Sequence, residues 1–334
     1  MNIPYRQLSE YRPVDIARLR PDGSYKQLIA KRTHPIDDLI RQHGRIPEDL
    51  LTDRPCPTCG SNDARHELDK DHMRLVRCRR CDLVYVTPTF DEAHYKTVYA
   101  SAEYQEIVRD LGIKSHQYRV ERFGRERVAL MAPHLTTERP RYLDVGCSTG
   151  FVVEAARDAG WDAIGIDLNP SAIEFGRTRG LDLRAAALED AGFANATFDV
   201  VSLFDVLEHL LDPVDTLRAC TRLLRRGGIV FLYVPNYDSA SRLLMGRDAH
   251  FIWPTHHLNY YTPVTIRDLM AREGLETVYV ATEGLDVADY LWYRREVVGR
   301  TDEQIEEIAD LLQFFVNAGA YGKNLRVIAR VGER

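Results

Sequence analysis

The sequence predicts an α/β fold: a sheet of parallel strands covered by helices, with a small cysteine-bearing module ahead of it. Three observations lead there. From Arg139 onward, short apolar runs alternate with helical patterns, as in a parallel sheet wrapped by its crossover helices. Upstream, four cysteines stand as two CxxC pairs. Between Tyr142 and Pro170, a buried-strand pattern runs into a glycine turn, a helix and a second strand that ends on an acid.

Taken in order, the 334 residues divide into four stretches. Residues 1–50 mix charges, prolines and short apolar runs without a convincing period, and read as an arm of unassigned purpose. Residues 51–90 hold the cysteines among turn residues, and residues 91–135 read as a helical connector with tyrosines at Tyr95, Tyr99, Tyr104 and Tyr118. Residues 136–334 form the α/β domain, with candidate strands RYLDVG, WDAIGID, LDLRAAA, FDVVSLF, GGIVFLYVP, LETVYVA and NLRVIARVG. The clearest helix is DPVDTLRACTRLLRRGG, with Asp212 as its cap, Pro213 in its first turn and Gly227 past its end. A second, TDEQIEEIADLLQFFVNAG, sets Thr301 and Gln304 at capping-box spacing. Its apolar stripe suits core packing, a lid or a homodimer contact.

Hydrophobic residues at 45% and charged residues at 28% are ordinary for a globular protein. No apolar run is long enough to span a membrane, and the first residues lack a signal-peptide core, which makes the cytoplasm the expected location. A net charge of -6 counts against binding nucleic acid, because phosphate contacts normally leave a basic footprint.

Cys56 and Cys59 form one pair, Cys78 and Cys81 the other, with eighteen residues between them. Each CxxC turn points two thiolates at one corner of a tetrahedron, so two turns close a four-sulfur zinc site. A redox CxxC would stand alone at the start of a helix in a βαβ unit, which does not match. With every position taken by sulfur, the zinc is structural. His66 and His72, inside the loop, read as surface residues.

The turn Gly146-Cys147-Ser148-Thr149-Gly150 departs from GxGxxG, since Ser148 fills the position where backbone would approach a pyrophosphate. No GK[ST] follows, which excludes a P-loop. Asp167 ends the second strand and can accept both hydroxyls of a ribose. The turn suits an adenosine ligand whose other end is not a diphosphate. Alone, it is also what any tight strand-to-helix turn looks like.

Two further stretches, LEDAGFANATFDVVSLFDVLEHLLDP and LLRRGGIVFLYVPN, follow in order. With LDVGCSTG and GIDLNP they resemble the class I S-adenosylmethionine-dependent methyltransferases over about residues 139–334. The resemblance implies a Rossmann-like seven-stranded sheet with helices on both faces and an antiparallel last strand. It implies S-adenosylmethionine as cofactor, with Asp144, Gly146, Cys147 and Gly150 facing its methionine part. Asp167 would take the ribose hydroxyls, Leu168 would lie beside the adenine, and Leu188 and Glu189 would flank it. Phe204 and Asp205 would close the pocket.

Methyl transfer often needs a base, and histidine suits that role. His209 resembles the Glu-His pair that follows the fourth strand in many methyltransferases, where it is as often structural as basic. His256 and His257 open a stretch that resembles the family segment hung over the acceptor. The alternative for both is that they satisfy loop backbone. Zinc-ribbon sugar C-methyltransferases, the subgroup most resembled, carry a Tyr-x-Glu-His cluster here; this chain has Pro254, Thr255, His256 and His257. Trp253, Tyr260, Tyr261, Tyr290, Trp292 and Tyr293 would gather at the pocket mouth or close the core. Arg247, Arg294 and Arg295 could hold a substrate anion, or form a solvated face. The expected reaction is methyl transfer to a hydroxyl or carbon of a sugar, glycan precursor or secondary metabolite. The alternatives are an RNA methyltransferase, supported by Arg74, Arg77, Arg79 and Arg80 near the second cysteine pair, and a non-catalytic interaction module.

Overall fold

The computed structural model describes residues 1–21, 24–31 and 33–332; the side chain of Tyr104 lies outside the described residues. Among the described residues, eleven strands follow in chain order: β1 (Ala64–Lys70), β2 (Met73–Cys78), β3 (Val84–Val86), β4 (Arg141–Val145), β5 (Asp162–Asp167), β6 (Asp182–Ala185), β7 (Phe198–Phe204), β8 (Leu224–Pro235), β9 (Asn259–Tyr260), β10 (Leu275–Glu283) and β11 (Asn324–Val331). Seven of them make one sheet in the order β10-β11-β8-β7-β4-β5-β6. β6, β5, β4, β7 and β8 run parallel, and β11 lies antiparallel between β8 and β10. All seven are the strands expected from the sequence.

Both faces of this sheet are covered, which explains its near-continuous apolar strands. On β7, Val201 and Leu203 turn to one side, with Leu217, Cys220, Ile266 and Leu269 from the helices Pro213–Leu223 and Pro263–Arg272. Val200 and Phe204 turn to the other, where Val128, Met131, Val152 and Ala155 come from the helices Arg125–Met131 and Phe151–Asp158.

The remaining strands form a second sheet, β1-β2-β3-β9. Its first three strands belong to the cysteine segment, but β9 comes from the α/β domain and pairs Tyr85 with Asn259 and Val84 with Tyr260. The cysteine module is thus joined to the methyltransferase-like domain by a shared sheet.

Several local expectations are corrected. The helix at Pro213 ends at Leu223, and Gly227 lies inside β8 with φ +73°, four residues beyond that end. Asp212 precedes it without a side-chain capping bond. The stretch after Thr301 begins its helix at Glu303, with Asp302 as N-cap and no capping box, and breaks at Ile308 before resuming over Ala309–Ala318. The Asp302 carboxylate is engaged elsewhere: Arg294 donates to it from Nε at 2.7 Å. Residues of the arm form short helices, among them His34–His43. Asn2 donates to the Val280 carbonyl on the edge strand β10 at 2.6 Å. Among the described residues, no helix is long and apolar enough to cross a membrane.

Candidate active site

The turn after β4 is built from backbone that side chains disfavour. Gly146 and Gly150 sit at φ +77° and +78°, and Ser148 at +49°. A Cβ on Gly146 would lie 2.4 Å from Val206 Cγ2, so the segment after β7 presses directly on the glycine turn. Only glycine combines that φ with that approach. Asp167, at the end of β5, accepts from Ser148 N at 2.8 Å with Oδ2 and from Asn169 N at 2.8 Å with Oδ1. Its carboxylate is fixed in place, yet each oxygen keeps a further lone pair. Burial pushes its carboxyl upward, against the backbone N–H bonds that lower it.

Around this turn the expected residues take unequal positions. Leu168 is 63% exposed, an apolar side chain open to solvent. Leu188 is half-buried and Glu189 exposed, both on the loop after β6. Asp205 stands at φ +56° and is exposed. Its carboxyl is nonetheless pushed up chiefly by burial, a shift that the charges of Arg127 and Arg119 oppose. Phe204 is buried, with the Arg127 guanidinium 4.1 Å over its ring. Asp144 is enclosed beneath the turn, accepting from Ser202 Oγ at 2.6 Å, and burial raises its carboxyl to about 6. Cys147 is buried with Ile173 and Leu183; a Cβ on Gly165 would lie 2.6 Å from its sulfur. Its side chain is core, leaving its backbone to line the turn.

A long helix, Ala102–Arg119, crosses above. At Gly112 it comes so close that a Cβ would lie 3.1 Å from Thr149 Cγ2. His116 fastens it, with Nδ1 2.9 Å from Thr149 Oγ1 and Nε2 2.9 Å from Glu154 Oε2.

The three candidate histidines come together at the other end of the β7 segment. His209 closes the short turn Leu207–His209, and its ring meets that of His257 edge-on at 4.7 Å. His209 Nδ1 lies 3.0 Å from the His256 carbonyl and 3.0 Å from the Tyr99 hydroxyl. His257 Nδ1 lies 2.8 Å from the Phe251 carbonyl. His256 is buried, its ring 4.1 Å from that of Trp253. Burial lowers all three: His209 to about 4, His256 to about 3, and His257 well below the usual imidazole value. Neutral imidazoles result at pH 7.

Of the six aromatic residues expected at the mouth, Trp253 joins the histidines. Tyr260 and Tyr261 are 0% exposed and belong to the core. Trp292 lies against Tyr25 and His250 instead. Asn259 does not face the cleft; its Nδ2 donates to the Leu210 carbonyl at 2.7 Å and ties two loops together. Arg294 pairs with Asp302 and Arg295 with Glu296, which gives both arginines partners on the protein.

Four residues had no assigned role in the sequence: Arg54, Tyr99, Gly112 and Glu208. Tyr99 stood out only as one of several connector tyrosines, and Glu208 only as the neighbour of His209. Arg54 and Gly112 have no local signal.

At the cysteine module, the Cys56 and Cys81 sulfurs lie 3.4 Å apart and those of Cys59 and Cys78 3.5 Å apart. All four ligand atoms lie within 4.8 Å of one another. A disulfide would need about 2.05 Å, whereas the edge of a tetrahedron around zinc with 2.3 Å bonds is about 3.8 Å. The residues after the second cysteine of each pair, Gly60 and Asp82, take φ +71° and +63°, and their N–H groups return to the carbonyls of Cys56 and Cys78. The two turns are equivalent knuckles, and the four thiols fit a zinc ribbon.

The strand order, with the antiparallel β11 and the glycine turn opposite Asp167, defines a protein of the methyltransferase class. Residues 116–280 match the family model described as a methyltransferase domain. The chain is 33% identical over 150 residues to the ubiquinone biosynthesis O-methyltransferase of Thiobacillus denitrificans, covering 41% of this chain and 65% of that protein. To the protein of the same name from Xanthomonas axonopodis pv. citri it is 31% identical over 163 residues, 45% of this chain and 68% of that one. A chain from the complex between the Haloferax volcanii Trm112 methyltransferase activator and a methyltransferase superposes with TM-score 0.52 at 16% identity, covering 70% of this chain and 99% of that one, and shares the fold. The chain belongs to the class I S-adenosylmethionine-dependent methyltransferases. It spans 65% of the length of the Thiobacillus relative.

Proposed function

We propose that this chain transfers a methyl group from S-adenosylmethionine to a hydroxyl of a small-molecule acceptor such as a sugar, glycan precursor or secondary metabolite. The observation that carries the reading is the contact between Gly146 and Val206. It puts the cofactor turn against the segment that ends, three residues on, at His209. Cofactor and acceptor ends therefore belong to one cleft. The choice of a hydroxyl over a carbon rests on the O-methyltransferase names of the relatives.

The cofactor supplies an electrophilic methyl on a sulfonium. Asp167, held by two backbone N–H groups, offers its remaining lone pairs to the ribose, and Leu168 offers apolar surface to the adenine, with Leu188 and Glu189 beside it. The backbone of Gly146, Cys147 and Gly150 leaves room for the methionine part, with Asp144 bracing the turn from below. Phe204 and Asp205 form the far wall, where Arg119 adds a positive charge. His209 and His257 orient the acceptor, whose hydroxyl proton leaves to solvent, and His256 holds their loop through its contact with Trp253. The four cysteines hold a structural zinc.

An RNA acceptor fits less well. Arg77 pairs with Glu67 and Asp82, and Arg79 with Asp63, so two of the four arginines near the second cysteine pair spend their charge on neighbouring carboxylates. The test is transfer of labelled methyl from S-adenosylmethionine to a panel of phenolic and sugar hydroxyls, with ribosomal and transfer RNA alongside. Label in a hydroxyl acceptor is expected; label in RNA alone would overturn the small-molecule reading.

A further inference from the structure

We infer that Glu208, His209 and His257 form a second metal site, separate from the cysteine module, which takes one divalent cation at the acceptor end of the cleft. One ligand atom from each residue lies within 4.8 Å of the other two. The inference builds on the methyltransferase reading for its use, but the site itself stands on three independent features.

The first is Glu208. Its side chain is 1% exposed, and neither carboxylate oxygen has a hydrogen-bond partner. Buried carboxylates almost always have partners, and an orphaned one calls for an explanation such as an unplaced ion. Asp205 nearby makes its environment more negative. A cation is the missing partner.

The second is the state of the two imidazoles. A carbonyl can only accept, so the approach of His209 Nδ1 to the His256 carbonyl at 3.0 Å makes Nδ1 the protonated nitrogen. The same holds for His257 Nδ1 against the Phe251 carbonyl at 2.8 Å. Both rings keep a bare lone pair on Nε2. Metal-binding histidines are oriented in this way, with the second nitrogen donating to a backbone carbonyl.

The third is rigidity. Tyr99 braces His209 from the helix Glu92–Ala100, and Leu258 N donates to the Glu208 carbonyl at 2.6 Å, which locks the Glu208 turn to the His257 loop. Two imidazoles and one carboxylate suit a transition-series divalent ion such as zinc, manganese or iron(II) better than magnesium or calcium. Three protein ligands leave positions open for the oxygen of the acceptor. A cation there lowers the pKa of the acceptor hydroxyl, so that its proton can pass to water before the oxygen takes the methyl group.

The full chain, dialysed against zinc and then passed over a desalting column, should carry two zinc ions, falling to one in Glu208→Gln and one in His257→Ala. S-adenosylhomocysteine binding in the same samples reports on the methyltransferase reading separately, because its failure would leave the metal count unaffected. Zinc-edge X-ray absorption of the unmutated chain covers the case in which a variant does not fold. It should show nitrogen or oxygen at about 2.0–2.1 Å alongside sulfur at about 2.3 Å. One zinc in the unmutated chain, a sulfur-only shell, or two zinc ions retained in both folded variants would overturn the site.

Discussion

Across 204 residues of chain, Arg54 Nη2 donates to the carbonyl of Leu258 at 2.8 Å, one residue beyond His257. The same guanidinium donates to the Val86 carbonyl from Nε at 2.9 Å, to the Leu211 carbonyl from Nη1 at 2.9 Å and to Asn259 Oδ1 at 3.1 Å. One side chain thus joins the cysteine module, the loop after His209 and the loop that carries His257. Together with the pairing of β3 to β9, it makes the ribbon a support for the loops that carry His209 and His257.

Removing that guanidinium strands buried carbonyls, so Arg54→Ala should cost roughly 3 kcal/mol of stability in denaturant titration. Arg54→Lys should rescue little, since a point charge cannot span three carbonyls in fixed directions. A loss under about 0.5 kcal/mol, typical of a surface substitution, would show that the three loops do not depend on Arg54.

His209 gives a pH-dependent prediction. Its folded-state pKa near 4 lies below the unfolded value near 6.5, so between those values the unfolded chain binds more protons. The stability it contributes is complete above about pH 6.5 and is lost as the pH falls toward 4. The penalty of His209→Gln should therefore shrink on acidification, by up to about 1.4 kcal/mol per pH unit. Nuclear magnetic resonance of the ring, in protein carrying the ribbon zinc alone, should show no titration above pH 5. A midpoint near 6.5 would place the ring in water.

Gly146→Ala should weaken S-adenosylhomocysteine binding at least about tenfold, because the new methyl group meets Val206 and the residue must hold φ +77°. Since the obstacle is a side chain, adding Val206→Ala should restore part of the affinity, and the double-mutant cycle should be non-additive. Independent, additive effects would mean that the two segments do not touch.

The seven strands of the large sheet are legible because helices cover both its faces, which makes each strand an apolar run regardless of register. The knuckles are legible because four thiolates at one corner-to-corner spacing leave few other uses. The joining of the two is not. β9 is two residues long, and Asn259 meets Tyr85 through a pairing with no local signature. Arg54 is one of 44 lysines and arginines, and nothing near it in sequence points at Leu258. The histidines stood out as residue types, whereas the orphaned carboxylate of Glu208 emerges only once burial is known. Thr301 and Gln304 matched a capping pattern, but the helix starts at Glu303, one residue later, with Asp302 as N-cap and paired to Arg294.

Cofactor binding is the most direct test of the assignment, and calorimetry with S-adenosylhomocysteine measures it. The unmutated chain should bind, and Asp167→Ala should weaken binding by about 1–3 kcal/mol by leaving ribose hydroxyls without their acceptor. Tight binding of NAD with no heat from S-adenosylhomocysteine would contradict the assignment at its centre.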